Sequence, residues 1–490
     1  MKKIAACLFL ALGLTGLFAQ TNNPAIRPLS LADCFTEALK HNLDVQVQRY
    51  EPQVSLYNLR LAYAGYDPTF SFSGTHNHNH SGAVGIVPSI SDANTFNSGL
   101  GGLTPWGMTY GLAGNVSEGY GFSPTLGNYD GSSGQVGVNV TQPLLKNFWI
   151  DNNRLTISVA KNRLKYSEQG LRQQIITTVT AVENAYYELI YARENVKVQQ
   201  EALTLAQTQL DQDKERVQVG SLAPLDVQQD EAQAAQSRAN LIAAQNTLSV
   251  DQNTLKSLLT DTYAQWHDVE IEPTATLAAG RQSFDIQDSW SKGMTQRPDL
   301  MQARLNVEQQ GIQLKYYRNQ LFPQLDLVGS YGYNGAGREF SDALGQYSTA
   351  NRPFYSYGVE FSIPLGNAKA RNNLKAGKAT EKQLLLQLKQ FEQTVMVEID
   401  NAVKAAQSAW ESAEATKQAR TYAEAALDAE QKKYAVGKST TFTVLQLQNS
   451  LTSARSQEIR ALANYNQALA KLAAAEGSTF QRHHLEIEGK

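Results

Sequence analysis

The chain has 490 residues, 42% of them apolar and only 18% charged, with 34 glycines and 22 tyrosines. A mean hydropathy of −0.38 excludes one large dry core, and the low charge excludes a highly charged disordered chain. A formal charge of −3 without any Lys/Arg block excludes an electrostatic nucleic-acid footprint, so no nucleic-acid partner is expected.

Residues 1–19 have the form of a signal peptide: Lys2 and Lys3, an apolar run from Ile4 to Leu17, then small Ala19 at the cleavage point. Removing it leaves 41 basic and 46 acidic residues, a charge of about −5. Cys7 sits within the apolar run without the spacing of a lipid-attachment box. Cys34 is therefore the one cysteine of the exported chain, with no intrachain disulfide and no assigned role. No later stretch approaches the roughly 20 apolar residues of a membrane helix. Contact with a membrane must then be made by strands.

Internal repetition organises the rest. A shift of 255 residues superimposes Asp44 on Asp299, Arg49 on Arg304, Pro68 on Pro323, Gly74 on Gly329 and Asn79 on Asn334. Shifts of 221 and 217 superimpose Pro143 on Pro364 and Val219-Gly220 on Val436-Gly437. The reading is a first repeat over 20–260, a connector over 261–285 containing a short strand at Val269–Pro273, a second repeat over 286–475, and a tail over 476–490.

Each repeat changes period along its length. A helical pattern over 30–65, and again over 286–321, gives way to strict alternation in four segments, about 69–77, 134–143, 324–334 and 355–364. Phe70 and Phe72 oppose Ser71 and Ser73; Val136, Val138 and Val140 oppose Gln135 and Asn139. Leu325 and Leu327 oppose Gln324 and Asp326; Tyr357, Val359 and Phe361 oppose Ser356, Glu360 and Ser362. One face apolar with aromatics and the other polar is the pattern of a strand between lipid and water. From Thr69 to Pro143 there is no Lys or Arg, and 14 glycines lie between Gly74 and Gly134. The function of segment 78–132 is not assigned. Alternation around Trp106–Tyr110 marks an extra hairpin, but the pattern does not decide between a barrel wall and a flap over its mouth.

The remainder is helical. Residues 151–218 and 371–436 contain no proline, which allows helices of about 100 Å. Pro224 opens a returning helix to about 260, and Ser439 or Thr440 caps another to about 475. A narrow seam such as Leu203, Ala206, Leu210 and Val217 suits side-to-side packing that leaves the other faces wet. Four strands cannot close a wall in lipid, because every edge must be paired. Three copies would supply a twelve-stranded barrel, continued by a barrel of twelve helical cross-sections.

This order resembles the TolC-like outer-membrane efflux and secretion channels over essentially the whole mature chain. The motifs that carry the resemblance are Thr141-Gln-Pro-Leu-Leu145, Val219-Gly-Ser-Leu-Ala-Pro-Leu-Asp-Val227 and Tyr434-Ala-Val-Gly-Lys-Ser-Thr-Thr-Phe-Thr-Val444. The resemblance implies a mainly helical chain with a membrane β portion, assembled as a homotrimer in outer-membrane lipid and closed at its periplasmic tips. It also implies docking to a periplasmic adaptor and an inner-membrane transporter of RND or ABC type, without enzymatic activity or cofactor. The exported cargo and the energy source of the transporter are not encoded legibly.

The family pattern pairs an Asp of the first tip with a Tyr of the second, and the matching positions here are Asp226 and Tyr434. Gly220 and Gly437 supply the tip turns, and Lys438 lies beside the second. Where several members carry two acids in the second tip, this chain has Thr443 and Gln446, which puts an acidic gate ring in doubt. By strand parity Asp326 and Glu360 face the lumen. The run His76–His80 offers alternate imidazoles, yet its parity places them outward at the barrel rim, and no metal site is expected. The competing reading is an exported periplasmic or surface coiled-coil scaffold without a pore.

Overall fold

The computed structural model describes residues 25–82, 89–125 and 127–485. The expected signal peptide, 1–19, lies outside the described residues, as do the last five residues of the tail. The chain divides into two units, one formed by 1–43, 178–282 and 405–471, the other by 44–177, 283–404 and 472–490. No helix among the described residues is long and apolar enough to cross a membrane.

In the first unit a short strand β1 (Ala25–Leu29) pairs in parallel with β6 (Val269–Pro273). The helix α1 (Leu31–His41) starts on a capping box in which Ser30 and Asp33 satisfy each other's backbone N–H groups. It packs on α4 (Pro224–Leu259), and a four-residue helix α5 (Tyr263–Trp266) leads from α4 to β6. Val179, Val182, Tyr186, Leu189, Leu255, Leu259 and Ile271 are fully buried in this unit, as is Cys34. Tyr186 donates to the Leu29 carbonyl at 3.1 Å and accepts from the Ala275 N–H at 3.2 Å, so its buried hydroxyl is satisfied. Burial pushes the Cys34 thiol up to about 12, and it carries essentially no thiolate at neutral pH. The folded protein is expected to leave Cys34 unmodified by maleimide at pH 7.5 and to label fully in denaturant; complete labelling of the folded form would contradict this packing.

The long helices α3 (Asn152–Gln218) and α9 (Ala368–Ala435) have 67 and 68 residues, and the returning helices α4 and α10 (Thr441–Glu476) have 36 each. The helices that lead into the strands are each broken once. In the first, α1 ends before α2 (Leu43–Tyr63) at Asn42, whose ψ of 125° is extended. In the second, α6 (Ile286–Gln296) ends before α7 (Pro298–Asn319) at Arg297, which adopts the extended backbone that a following proline requires. Arg297 is nearly buried and holds Asp299 with two of its nitrogens and Glu398 with the third. A four-residue helix α11 (Thr479–Arg482) closes the second unit.

The sheet of the second unit corrects the expectation of four strands per chain. Among the described residues it has six, in the order β2 (Thr69–Ser81), β3 (Ser89–Leu103), β4 (Thr109–Ser123), β5 (Gly127–Pro143), β7 (Gln324–Gly337), β8 (Pro353–Ser362), all antiparallel. The glycine-rich alternation around Trp106 thus belongs to the sheet, as the hairpin β3–β4. Glycine had lowered its strand signal, but glycine rows let neighbouring backbones and rings approach, as where Gly74 lies opposite Phe96.

Register puts Phe70, Leu100, Leu112, Val138, Tyr331 and Tyr355 in one row across all six strands. Most of these side chains are exposed, Phe70 at 71% and Tyr357 on the same face at 85%. Ser73, Asn97, Asn115, Gln135 and Asn334 form a row on the opposite face. A ten-residue helix, α8 (Phe340–Thr349), lies between β7 and β8 in sequence and covers the far end of the apolar face. Phe340 meets Phe96 edge-on at 5.4 Å, and Tyr347 donates to the Asn115 carbonyl at 2.8 Å. A side chain on Gly134 or Gly335 would collide with Tyr347 or the Ala343 backbone, which accounts for glycine there.

Candidate functional site

Both hairpin tips belong to the first unit and are built alike. Helix α3 ends in a Schellman motif, with Gly220 N–H to the Val217 carbonyl at 3.0 Å and Ser221 N–H to the Arg216 carbonyl at 2.9 Å. Helix α9 ends in the same way, with Gly437 N–H to Tyr434 at 3.0 Å and Lys438 N–H to Lys433 at 2.9 Å. Gly220 and Gly437 have φ of +74° and +72°, the left-handed conformation that any Cβ would strain. Pro224 then starts α4 at a position where no intrahelical N–H is needed.

Tyr434 is 9% exposed, and its hydroxyl lies 2.8 Å from both carboxylate oxygens of Asp213. This corrects the expected pairing: the partner is Asp213 on α3, and Asp226 instead occupies the first turn of α4, favourable to the helix dipole. Thr441 on α10 also meets the Tyr434 hydroxyl, at 3.0 Å. Gln209 donates to Asp213 at 2.7 Å, and the Arg216 guanidinium lies 3.5 Å from Asp213 while stacking 4.6 Å above the Tyr434 ring. One phenol thus joins the hairpin α3–α4 to the hairpin α9–α10. Burial, followed by the Asp213 carboxylate, raises the Tyr434 pKa, which keeps the phenol protonated and able to donate.

Asp230, on α4, adds a second buried carboxyl at 1% exposure. No protein donor reaches either of its oxygens. Burial first, then the hydrogen bond to Asp213 and the charges of Asp213 and Asp226, push its pKa up to about 7. A proton held by Asp230 and donated to Asp213 supplies the missing link, since two facing carboxylates cannot both remain charged in such a site.

Neither Asp213 nor Asp230 was picked out from sequence. The signal was available: Asp213 lies seven residues after Ala206 on the α3 seam, and Asp230 lies seven before the buried Ser237 on α4. An acid at a seam position is costly unless partnered. Lys438 is exposed at the tip, Gln446 is exposed, and Thr443 bonds locally to Thr440 at 3.0 Å. These three do not join the Tyr434 network. Asp326 and Glu360 are register partners on the polar face of the sheet, and Gln324 donates to Asp326 at 2.6 Å. His76 and His78 share the face of Phe72, with His78 2.7 Å from Asp92. No group of metal-binding side chains occurs among the described residues.

The family described as "Outer membrane efflux protein" matches residues 35–260 and 291–478. The outer membrane protein TolC of Escherichia coli is 25% identical over 294 residues, 59% of each chain. The outer membrane efflux protein BepC of Brucella suis is 23% identical over 325 residues, 66% of this chain and 67% of its own. The chain therefore spans about three-fifths of the length of the TolC relative it matches. Among solved structures, the Campylobacter jejuni CmeC outer membrane channel aligns with a TM-score of 0.67 at 16% identity, covering 94% of this chain and 87% of its own. CusC aligns with a TM-score of 0.69 at 17% identity, covering 91% of each chain.

Proposed function

Because the chain belongs to the outer membrane efflux protein family, we propose that three copies assemble into an exit duct in the bacterial outer membrane, with a long helical extension into the periplasm. The observation that carries this reading is the sheet: a broad, exposed apolar face backed by a polar one, with the edges of β2 and β8 unpaired among the described residues. In water such a face is a liability, and in lipid such edges must find strands. Neighbouring copies satisfy both needs. A coiled-coil scaffold with a small soluble sheet would bury Phe72, Val138, Leu327 and Phe361 together; here all four are 47–67% exposed.

The duct is passive, letting small molecules or polypeptides leave a pump complex without chemistry of its own. Asp326 and Glu360 give its outer lumen a mildly acidic lining. The two repeats, 20–260 and 286–475, provide matching halves, a reading supported by helix breaks at the equivalent positions Asn42 and Arg297. At the tips Val219, Leu225, Val436 and Phe442 are 63–79% exposed. Such side chains suit contact with a periplasmic adaptor bound to an inner-membrane transporter. Tyr434, Asp213 and Asp230 hold the tips closed, and Thr443 and Gln446 leave the entrance without an acidic ring at their level.

Detergent-extracted protein is expected to run as a heat-sensitive trimer and to conduct ions in planar bilayers. A monomer released in soluble form by osmotic shock would reject the duct.

A further inference from the structure

We infer that the hairpin β3–β4 is an in-register insertion into the barrel wall, so that three chains close eighteen strands and enclose a lumen about 1.5-fold wider than a twelve-stranded ring, diameter growing roughly linearly with strand number. The inference rests on the trimeric duct reading and deepens it.

Register supports the inference first. Phe72 lies opposite Ser98, Ser98 opposite Gly114, and Gly114 opposite Val136. Without the hairpin, β2 would fall antiparallel beside β5 with Phe72 against Val136, both on the apolar face. Only an even number of strands can be inserted with that outcome, and only in a register that keeps the two-residue alternation. The hairpin meets both conditions. At its other end Ser81 pairs with Ser89, and Ser123 with Gly127, so the inserted strands span the full height of β2.

The band of apolar rows is the second support. It runs from the row of Gly74 and Phe96 down to that of Leu325 and Phe361, six rows spaced two residues apart. At about 3.4 Å per residue and the usual barrel tilt this is about 25 Å, the height of a bilayer-facing band. Within the band the hairpin contributes Phe96, Leu100, Leu112 and Val116. In the row directly above it the same face is polar in four adjacent strands, with His76, Asn94, Glu118 and Ser132 side by side. A flap folded over a mouth has no reason to share this boundary.

Third, the turn from β3 to β4 is short, Thr104 and Gly107 closing it at 2.9 Å, and it lies at the helix end of the sheet beside Arg154. Short turns belong on the periplasmic side of outer-membrane barrels. Finally, α8, which grows out of β7, is anchored on the inserted hairpin through Tyr347 to Asn115 and Phe340 to Phe96. The added strands are thereby locked to the second repeat.

Paired cysteines in the full-length chain, oxidised in outer membranes, test the strand order, with buried Cys34 left in place. Ser73→Cys with Asn97→Cys, and Asn115→Cys with Gln135→Cys, are expected to form disulfides in most chains. Ser73→Cys with Gln135→Cys, neighbours only if β2 meets β5 directly, is expected to form none. A disulfide in the last pair alone overturns the inference. Electron cryomicroscopy of the unsubstituted trimer gives a second readout: eighteen strands support the inference, and a trimer with twelve overturns it while leaving the duct intact. A chain that remains monomeric overturns the duct reading and the inference with it.

Discussion

Replacing Tyr434 with Phe is expected to raise the open probability of the isolated channel by roughly 10- to 150-fold. The substitution keeps the ring, and with it the stacking of Arg216 and the packing against Leu427, Val444 and Leu451. It removes one hydroxyl, the group that ties the α9–α10 hairpin to Asp213 on α3. A hydrogen bond to a charged acceptor contributes about 1.5–3 kcal/mol, and the buried acceptor it leaves is costly in its own right. That energy converts to the stated range at about 1.4 kcal/mol per factor of ten, and equivalent contacts in three copies would compound it. Asp226→Ala is the contrast: a first-turn carboxylate outside the network is expected to change conductance little, its loss being within about 1 kcal/mol of helix stability. Single-channel recording separates the two. Equal conductance of Tyr434→Phe and the unsubstituted protein would show that another contact holds the tips.

The difference between Asp226 and Asp213 also shows how far the sequence alone could reach. The motif at the tip contains an Asp, and it is natural to pair it with the Tyr of the other tip. The true partner lies before the turn begins, at a seam position where the repeat calls for a small or apolar residue. Long proline-free helices, their glycine-ended tips and the β-period segments were legible because each depends on local spacing. Asp213 and Asp230 were not, because their significance exists only when four helices converge and strip both carboxyls of water. The hairpin β3–β4 was legible as an extra hairpin but not as part of the sheet, for a different reason. Its strands alternate in register with their neighbours, but Gly99, Gly101, Gly111 and Gly119 hold the inward positions where a polar side chain would have marked the period. A glycine-rich strand reads as loop until its partners are known. Helix α8 carries no such excuse: Phe340, Ala343, Leu344 and Tyr347 have helical spacing, but the segment is short and sits between two strong strands.

Raising the pH from about 5 to about 8 is expected to loosen the tips, and Asp230→Asn is expected to abolish that response. The charged groups acting on Asp230 are Asp213 from α3 and Asp226 from its own helix; Asp213 in turn meets Arg216 of α3 and Tyr434 and Thr441 of the opposite hairpin. Lys214 and Glu231 form an ion pair nearby at 3.2 Å and compensate each other. Asp230 binds its proton up to about pH 7 when the hairpins are packed, against the ordinary carboxyl value of 3.8 when they are not. Between those values the packed state holds one more proton than the opened state, so packing weakens with each unit of pH rise. The stabilisation is complete below about pH 4 and lost above about pH 7. Tyr434 does not contribute to this window, because burial moves its titration upward, away from neutrality. An asparagine at 230 cannot ionise, yet its amide can still donate to Asp213, so the network survives without its titrating proton. Conductance of the trimer recorded from pH 5 to pH 8 should rise for the unsubstituted channel and stay level for Asp230→Asn. Parallel slopes in the two proteins would assign the response to other carboxyls and leave the buried pair a purely structural role.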